Sequence, residues 1–386
     1  MERIKTGISN LFRNYSIKDY KFSLIFLVTA ITVIGIMVIG SADPDYQRKQ
    51  TYGLIAGLCI MFVISLIDYH FVLKFYWLIY ALAIVLLGMV LVSGFGSEST
   101  GADRWISIGG FQFQPSELVK ILMILFLARY FFVYQEKMQQ TSFVLITLVL
   151  ILIPIFMILK QPDLSTAVVL CAVLLVIFFL AGLPGKWIKI ALCIGIPVIA
   201  VFFYLVTREG QTLISEYQAV RILAWLYPDE YPQSALQQQN SITAVASGQL
   251  LGKGLYNTDA NSVKNGNFIS EAQTDFIFAV VGEELGFVGC CLVIGLLLLI
   301  SLMCIRIGVK AKDFSGKLIG CGMGCLIALQ TFVNISVVVG LLPNTGLPLP
   351  FVSYGLTSLI SLFIGIGFVL NVGLNSAKDV KEGYIF

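Results

Sequence analysis

Apolar side chains gather into ten runs along the chain, at about residues 22–41, 51–67, 72–94, 116–134, 142–159, 165–182, 187–206, 275–305, 316–342 and 352–373. Most reach the ~20 residues an α-helix needs to cross ~30 Å of hydrocarbon. The second run is short, and the eighth and ninth are long enough to tilt or to extend past the lipid. The expected fold class is therefore all-α: a polytopic membrane protein with ten transmembrane helices, forming a single domain over 1–386. The polar remainder is uneven, with a basic N-terminal segment (1–21), a tail (374–386) and a large loop (207–274) between the seventh and eighth helices. A connector of that length is not a passive link. Within it, Ser241–Gly254 is small and moderately apolar, which suits a re-entrant or interfacial segment packed in protein.

Orientation follows from the basic residues. With the N-terminus inside, sixteen Lys and Arg fall on the cytoplasmic side and eight outside, and the short Arg306–Lys317 loop weighs most. Five basic residues (Arg3, Lys5, Arg13, Lys18 and Lys21) precede the first run, as in a signal peptide. That run is long for such a peptide, and Gly40-Ser41-Ala42 is a poor cleavage site, so a retained anchor is expected. Both termini then face the cytoplasm. The segments 95–115, 160–164, 207–274 and 343–351 open together on the outer face.

Composition narrows the function by exclusion. Hydrophobic residues make up 58% and charged residues 12% of the 386, which excludes a soluble enzyme and a disordered protein. A net charge of +3 on so apolar a chain does not suit a nucleic-acid binder. The one histidine, His70, leaves no bis-His haem and no His-rich zinc site. The eight cysteines all lie in apolar runs without a C-x-x-C, and read as small packing residues.

Charges in or beside spans are costly, and by default they mark a function. Here they gather at the outer ends. Pro115 and Ser116 fit a helix start, with Glu117 at its positive end. Glu117 and Lys120 share a helix face. Either they neutralise each other inside the bundle, or they hold a cation below the surface for an anionic ligand. In Lys160-Gln161-Pro162-Asp163 the proline ends one helix and Asp163 can cap the next, as a structural turn or as further charge on the rim. In Ser270–Phe278, Ser270 and Gln273 have capping-box spacing. A helix starting there puts Asp275 one turn inside it, on one face with Glu271; otherwise Asp275 is itself the N-cap. A carboxylate at the membrane–water boundary suits general-base work. Glu283 and Glu284 are expected to pair with other spans or to line a cavity. Three prolines and two glycines in Pro343–Gly355 forbid a continuous helix.

At these residues the chain resembles the SEDS proteins (shape, elongation, division and sporulation) typified by RodA, FtsW and SpoVE. The matching pieces are Gly101–Ile106, Gln114–Lys120, Lys160–Leu164, Arg221 in Arg-Ile-Leu, Ala246–Gly254, Gln273–Gly286 and Pro343–Gly355. Each is weak alone, but seven in order on a ten-span plan are specific. The chain departs from the pattern at Asn344, usually Val or Ile, and at Leu356-Thr357, often Gly-Ser.

The resemblance implies a peptidoglycan glycosyltransferase that polymerises lipid II, an undecaprenyl-diphosphate disaccharide-peptide, with inversion, on the outer face of the bacterial cytoplasmic membrane. Asp275 falls on the family's essential aspartate and is expected to be the base on the acceptor's 4-hydroxyl. Arg104, Lys120, Lys160 and Arg221 are the candidate cations for the diphosphate, the two arginines foremost because guanidinium binds phosphate through paired donors. Gln273 and Ser353 are further substrate-binding candidates. Glu117, Asp163 and Glu271 are expected to support the cations. No metal cage is legible, although a divalent cation (Mg or Mn) shared with the diphosphate would need few protein ligands. The implied partner is a class B penicillin-binding protein, a transpeptidase with one transmembrane helix. The rival reading is a flippase for the same lipid, in keeping with broken helices and intramembrane charges. Charge clustered at the outer face, rather than through the membrane depth, favours the polymerase. A pure scaffold would leave the carboxylate and cations without a task.

Overall fold

The computed structural model describes residues 20–93, 104–108, 111–208, 214, 216–257, 262, 266, 268–269 and 272–382. Each apolar run folds as a helix. In chain order these are α1 (Phe22–Ala42), α2 (Pro44–Leu66), a short α3 (Tyr69–Leu73), α4 (Tyr76–Ser93), α5 (Pro115–Val133), α6 (Thr141–Lys160), α7 (Leu164–Leu180) and α8 (Gly185–Val206). The long loop supplies α9 (Glu216–Leu226) and α10 (Pro232–Ser247), and the chain ends with α11 (Ile277–Val309), α12 (Phe314–Val338) and α13 (Leu356–Glu382). Seven of the helices are long and apolar enough to cross a bilayer, and α4 and α7 contain shorter apolar stretches. The protein is a multi-pass helical membrane protein. The all-α expectation misses one element, a hairpin of β1 (Ile106–Ile108) and β2 (Phe111–Phe113) that pairs Ile106 with Phe113 and Ile108 with Phe111.

The bundle is built around α5, α7, α11, α12 and α13. In the 21-residue span Leu356–Ser376 of α13, 78% of the most apolar window is buried. Apart from Val206, the described side chains of α8 are exposed or half-buried, so α8 stands at the periphery. Apolar side chains such as Phe26, Leu82, Val149 and Leu298 remain exposed on outer faces, as expected where the solvent is lipid.

Two departures from helix position the functional residues. The first lies within α11 at Gly286, where φ is 64° and ψ is −164°, a region open essentially only to glycine. The break takes the carbonyls of Glu283 and Glu284, and the amides of Phe287 and Val288, out of the helical ladder. Residues 249–254 answer all four. Lys253 N donates to Glu283 O (2.9 Å), Gly254 N to Glu284 O (2.9 Å), Phe287 N to Gln249 O (2.8 Å) and Val288 N to Leu250 O (3.2 Å). Lys253 Nζ also pairs with Glu283 Oε1 at 2.7 Å, and Ser41 Oγ donates to Glu284 Oε1 at 2.5 Å. The end of the Ser241–Gly254 segment thus packs against the broken helix by backbone pairing; Glu283 meets the loop residue Lys253 rather than another span, and Glu284 meets Ser41 of α1.

The second departure is the proline-rich stretch after α12. The carbonyls at the α12 C-terminus are taken by the long loop: Gln238 Nε2 donates to Val337 O and Leu342 O (2.8 and 2.7 Å), and Ser241 Oγ donates to Val338 O (2.8 Å). Trp225 Nε1 donates to Gly340 O at 2.9 Å. Helix ends leave carbonyls without intrahelical partners, and here α9 and α10 supply them.

Replacing Gly286 with alanine forces a Cβ to 2.3 Å from Gly252 N at a φ/ψ that alanine avoids. We expect Gly286→Ala to cost at least ~1–3 kcal/mol. A lowered midpoint of thermal unfolding in detergent checks this.

Candidate active site

The site forms where the hairpin, the α6–α7 turn, α9, the start of α11 and the loop 343–351 meet. Pro162 interrupts the chain between α6 and α7, and Asp163 caps α7, accepting from Thr166 N at 3.1 Å. Its carboxylate also accepts from Gln114 Nε2 (3.5 Å), and lies 4.0 Å from Arg104 Nη1. Arg104 Nη2 donates to Pro162 O. Asp163 is therefore both cap and counter-ion, the supporting role expected of it. Arg104 stands immediately before the hairpin, and Thr357 of α13 holds that hairpin, donating to Gln112 O (3.3 Å) and accepting from Gln114 N (3.4 Å).

A small pocket, open to solvent, lies beside these groups. Arg104, Ser165, Gln218, Arg221, Asn344 and Thr345 supply its polar lining. Ser165 Oγ fastens the loop to α7 by donating to Thr345 O at 2.6 Å.

Gly346 sits at the meeting point. Its φ is +73°, and a Cβ built on it would stand 3.2 Å from Asp275 Oδ2, 3.5 Å from Arg221 Nη1 and 4.0 Å from Arg104 Nη1. One carboxylate and two guanidiniums thus surround a single glycine. Only a residue without a side chain leaves the space between them open. Asp275 itself is half-buried and lies one residue before Phe276, the N-cap of α11. It is neither one turn inside the helix nor its cap. Ser270 and Glu271, and the capping-box spacing that rests on Ser270, lie outside the described residues, as does Asp103.

The other predicted ligands are placed differently. Pro115 does start α5, with Glu117 in its first turn. Lys120, however, is 1% exposed and Glu117 2%. Lys120 Nζ pairs with Glu117 Oε1 at 2.8 Å and donates to Gln330 Oε1 at 3.0 Å. Its charge is spent inside the bundle, so it is not a rim cation. Lys160 is exposed on the outside of the bundle, its Nζ 5.4 Å from the ring centroid of the exposed Phe156, and does not line the cavity. Ser353 is buried and its hydroxyl is committed to backbone, donating to Thr274 O (2.6 Å) and accepting from Leu349 N (2.7 Å). It braces the loop against the segment before α11. Gln273 joins the same frame, its carbonyl accepting from Tyr354 N at 2.9 Å.

Sequence reasoning passed over Gly346, Gln330 and Asn334. The last two are fully buried amides four apart on α12, and polar side chains at i, i+4 in an apolar span are the signal that marks them. Among the described residues no group of three or more His, Cys, Asp and Glu is placed to hold a metal ion.

Residues 14–378 match the family model of the FtsW, RodA and SpoVE proteins, described as "Cell cycle protein". The chain is 34% identical to the "Probable peptidoglycan glycosyltransferase FtsW" of Geobacter sulfurreducens, over 92% of this chain and 95% of that protein. It is 33% identical to the "Peptidoglycan glycosyltransferase MrdB" of Escherichia coli K12, over 91% and 92%. Its fold is similar to a chain in a solved structure described as "Structural coordination of polymerization and crosslinking by a peptidoglycan synthase complex", with a TM-score of 0.76 and 30% identity over 93% of this chain and 99% of that one. This is a multi-pass membrane protein of bacterial cell-wall synthesis by fold and kinship. It belongs to the FtsW/RodA/SpoVE family.

Breaking the buried pair from one side strands a charge. We expect Lys120→Met to destabilise the protein by about 3–5 kcal/mol, and Glu117→Gln added to it to recover much of the loss. Thermal unfolding of the wild type and these two variants in detergent tests this.

Proposed function

We propose that this peptidoglycan glycosyltransferase polymerises lipid II at the Gly346 junction, with Asp275 as the base and Arg104 and Arg221 as the diphosphate clamp. The observation that carries the reading is the convergence of that carboxylate and those two guanidiniums on one glycine beside an open cavity.

The chemistry follows from the groups. The acceptor's 4-hydroxyl gives its proton to Asp275 as its oxygen attacks C1 of the donor sugar. The C1–O bond to diphosphate breaks on the opposite face, so an α-linked donor yields a β-1,4 product. The electron pair leaves with undecaprenyl diphosphate, whose growing negative charge the two guanidiniums meet. Asp275 then returns its proton to water. No step is routed through a metal. Asp163 keeps Arg104 aimed, and Ser165 and Gly346 keep the loop in place without filling the gap.

The basic bias of the 306–317 loop supports cytoplasmic termini and an active site on the outer face of the cytoplasmic membrane. The peptidoglycan synthase complex that the fold resembles supports a crosslinking partner, a class B penicillin-binding protein.

The test is glycan polymerisation in detergent, with purified chain, partner and lipid II. Detergent removes the two compartments, so lipid transport gives no product. Asp275→Asn, folded by thermal unfolding, is expected to lose at least ~10²-fold in rate. Equal activity in wild type and variant rejects Asp275 as the base, and a wild type that makes no glycan despite its partner returns the flippase to first place. In the same assay Arg221→Ala should lower kcat about 10²-fold, whereas Lys160→Ala leaves it close to wild type.

A further inference from the structure

Asn334 occupies a place that the chemistry above leaves unexplained. It lies in the last turns of α12 and is 1% exposed. Its Nδ2 donates twice, to Asp275 O at 2.8 Å and to Leu347 O at 2.6 Å. Both partners are carbonyl oxygens. The amide must therefore face them nitrogen first, since the flipped form sets oxygen against oxygen. Asp275 precedes the N-cap of α11, so the helix does not fix its backbone. Leu347 follows Gly346, the residue against which the Asp275 carboxylate lies. One carboxamide thus joins the backbone of the base to the loop that faces its side chain.

One turn earlier on the same helix, Gln330 makes the companion contact. Its Nε2 donates to Pro348 O at 3.0 Å, while its Oε1 accepts from Lys120 at 3.0 Å. The ammonium on one side and the carbonyl on the other leave that amide one orientation. Successive carbonyls of the loop, Leu347 and Pro348, are held by successive turns of α12. Of the two amides, Asn334 alone also holds the base.

We infer that Asn334 is the positioning residue of Asp275: its amide sets the distance between the base and the loop that lines the substrate gap. This rests on the reading of Asp275 as the base. Asn334 touches no substrate and acts only through the two carbonyls. Its loss therefore misplaces the base without removing a binding group, which lowers kcat and leaves KM alone. A merely structural role would instead reduce the amount of folded protein, with turnover per folded molecule unchanged.

The experiment measures initial polymerisation rates against lipid II concentration in detergent, with the full-length chain and its partner transpeptidase. Rates are normalised to folded protein by size exclusion and thermal unfolding. Asn334→Leu, of similar volume but without donors, is expected to lower kcat by roughly 10- to 100-fold with KM within about twofold of wild type. Asn334→Asp keeps the shape and can donate only when protonated. Its kcat relative to wild type should therefore fall as the pH is raised. Wild-type kcat per folded molecule in both variants overturns the inference, as does a change confined to KM or a ratio for Asn334→Asp that does not move with pH. Should Asn334→Leu fail to fold, Asn334→Asp decides by the same criteria. Asp275→Asn runs alongside: if it is active, the base assignment falls and the inference with it. If it is inactive while the Asn334 variants turn over normally, only the inference falls.

Discussion

A peptide group inside a bilayer has no water to bond to, so each interruption of helix must bring its own partners. That constraint organises this chain. The break at Gly286 is answered by residues 249–254, and the end of α12 by Gln238, Ser241 and Trp225. The loop 343–355 is answered by Gln330, Asn334, Ser353 and Gln50, the last donating to Ser353 O at 3.0 Å. Residues 249–254, Gln238, Ser241, Trp225 and Gln50 come from elements distant in sequence, Gln330 and Asn334 from the helix before the loop, and Ser353 from the loop itself. The polar backbone that lines the site and the side chains that satisfy it are therefore one structure, and neither could be kept without the other.

Chemistry is placed where this network leaves a gap. Arg104 arrives on a hairpin strapped to α13, Arg221 on an amphipathic helix of the long loop, and Asp275 on the residue before α11's N-cap. None of the three lies within an apolar span. Each charge sits at a helix terminus, a turn or a surface helix, where the cost of ionisation is smaller than at the bilayer centre. The glycine between them turns their convergence into usable space.

Much of this was legible beforehand because it depends on local rules. Run length located the apolar helices, seven of which among the described residues are long and apolar enough to span a bilayer, Pro115 and Asp163 marked helix starts, and Gly/Pro content marked the broken loop. The two arginines were ranked above the lysines on phosphate geometry alone, and both approach Gly346. What stayed hidden depends on tertiary neighbours. Nothing near Lys120 in sequence says that Gln330 waits across the bundle, and Ser353 reads as a ligand until Thr274 and Leu349 claim its hydroxyl. The hairpin was missed because three-residue strands carry no periodicity to detect. The start of α11 was placed too early because a polar run of Ser, Glu, Gln, Thr and Asp offers several caps, and only packing against loop 343–355 selects among them.

The buried Lys120–Glu117 pair shows how a charge can serve a site it never touches. Taking both ions out of water costs several kcal/mol each, and their attraction does little more than return it, so net stability is a poor reason for the pair. Its geometric effect is clearer. The ammonium accepts no hydrogen bond, so Gln330 must meet it with oxygen and must then point nitrogen at Pro348 O. An apolar residue at position 120 would leave that amide indifferent to orientation, and with it the turn of loop next to Gly346. The charge is thus converted into a direction, passed through one amide to the backbone of the loop. Asn334 works on the adjacent carbonyl in the same sense. Two neutral amides on one helix face, one of them polarised by a buried cation, thus fix two successive carbonyls of a proline-rich loop that faces a carboxylate.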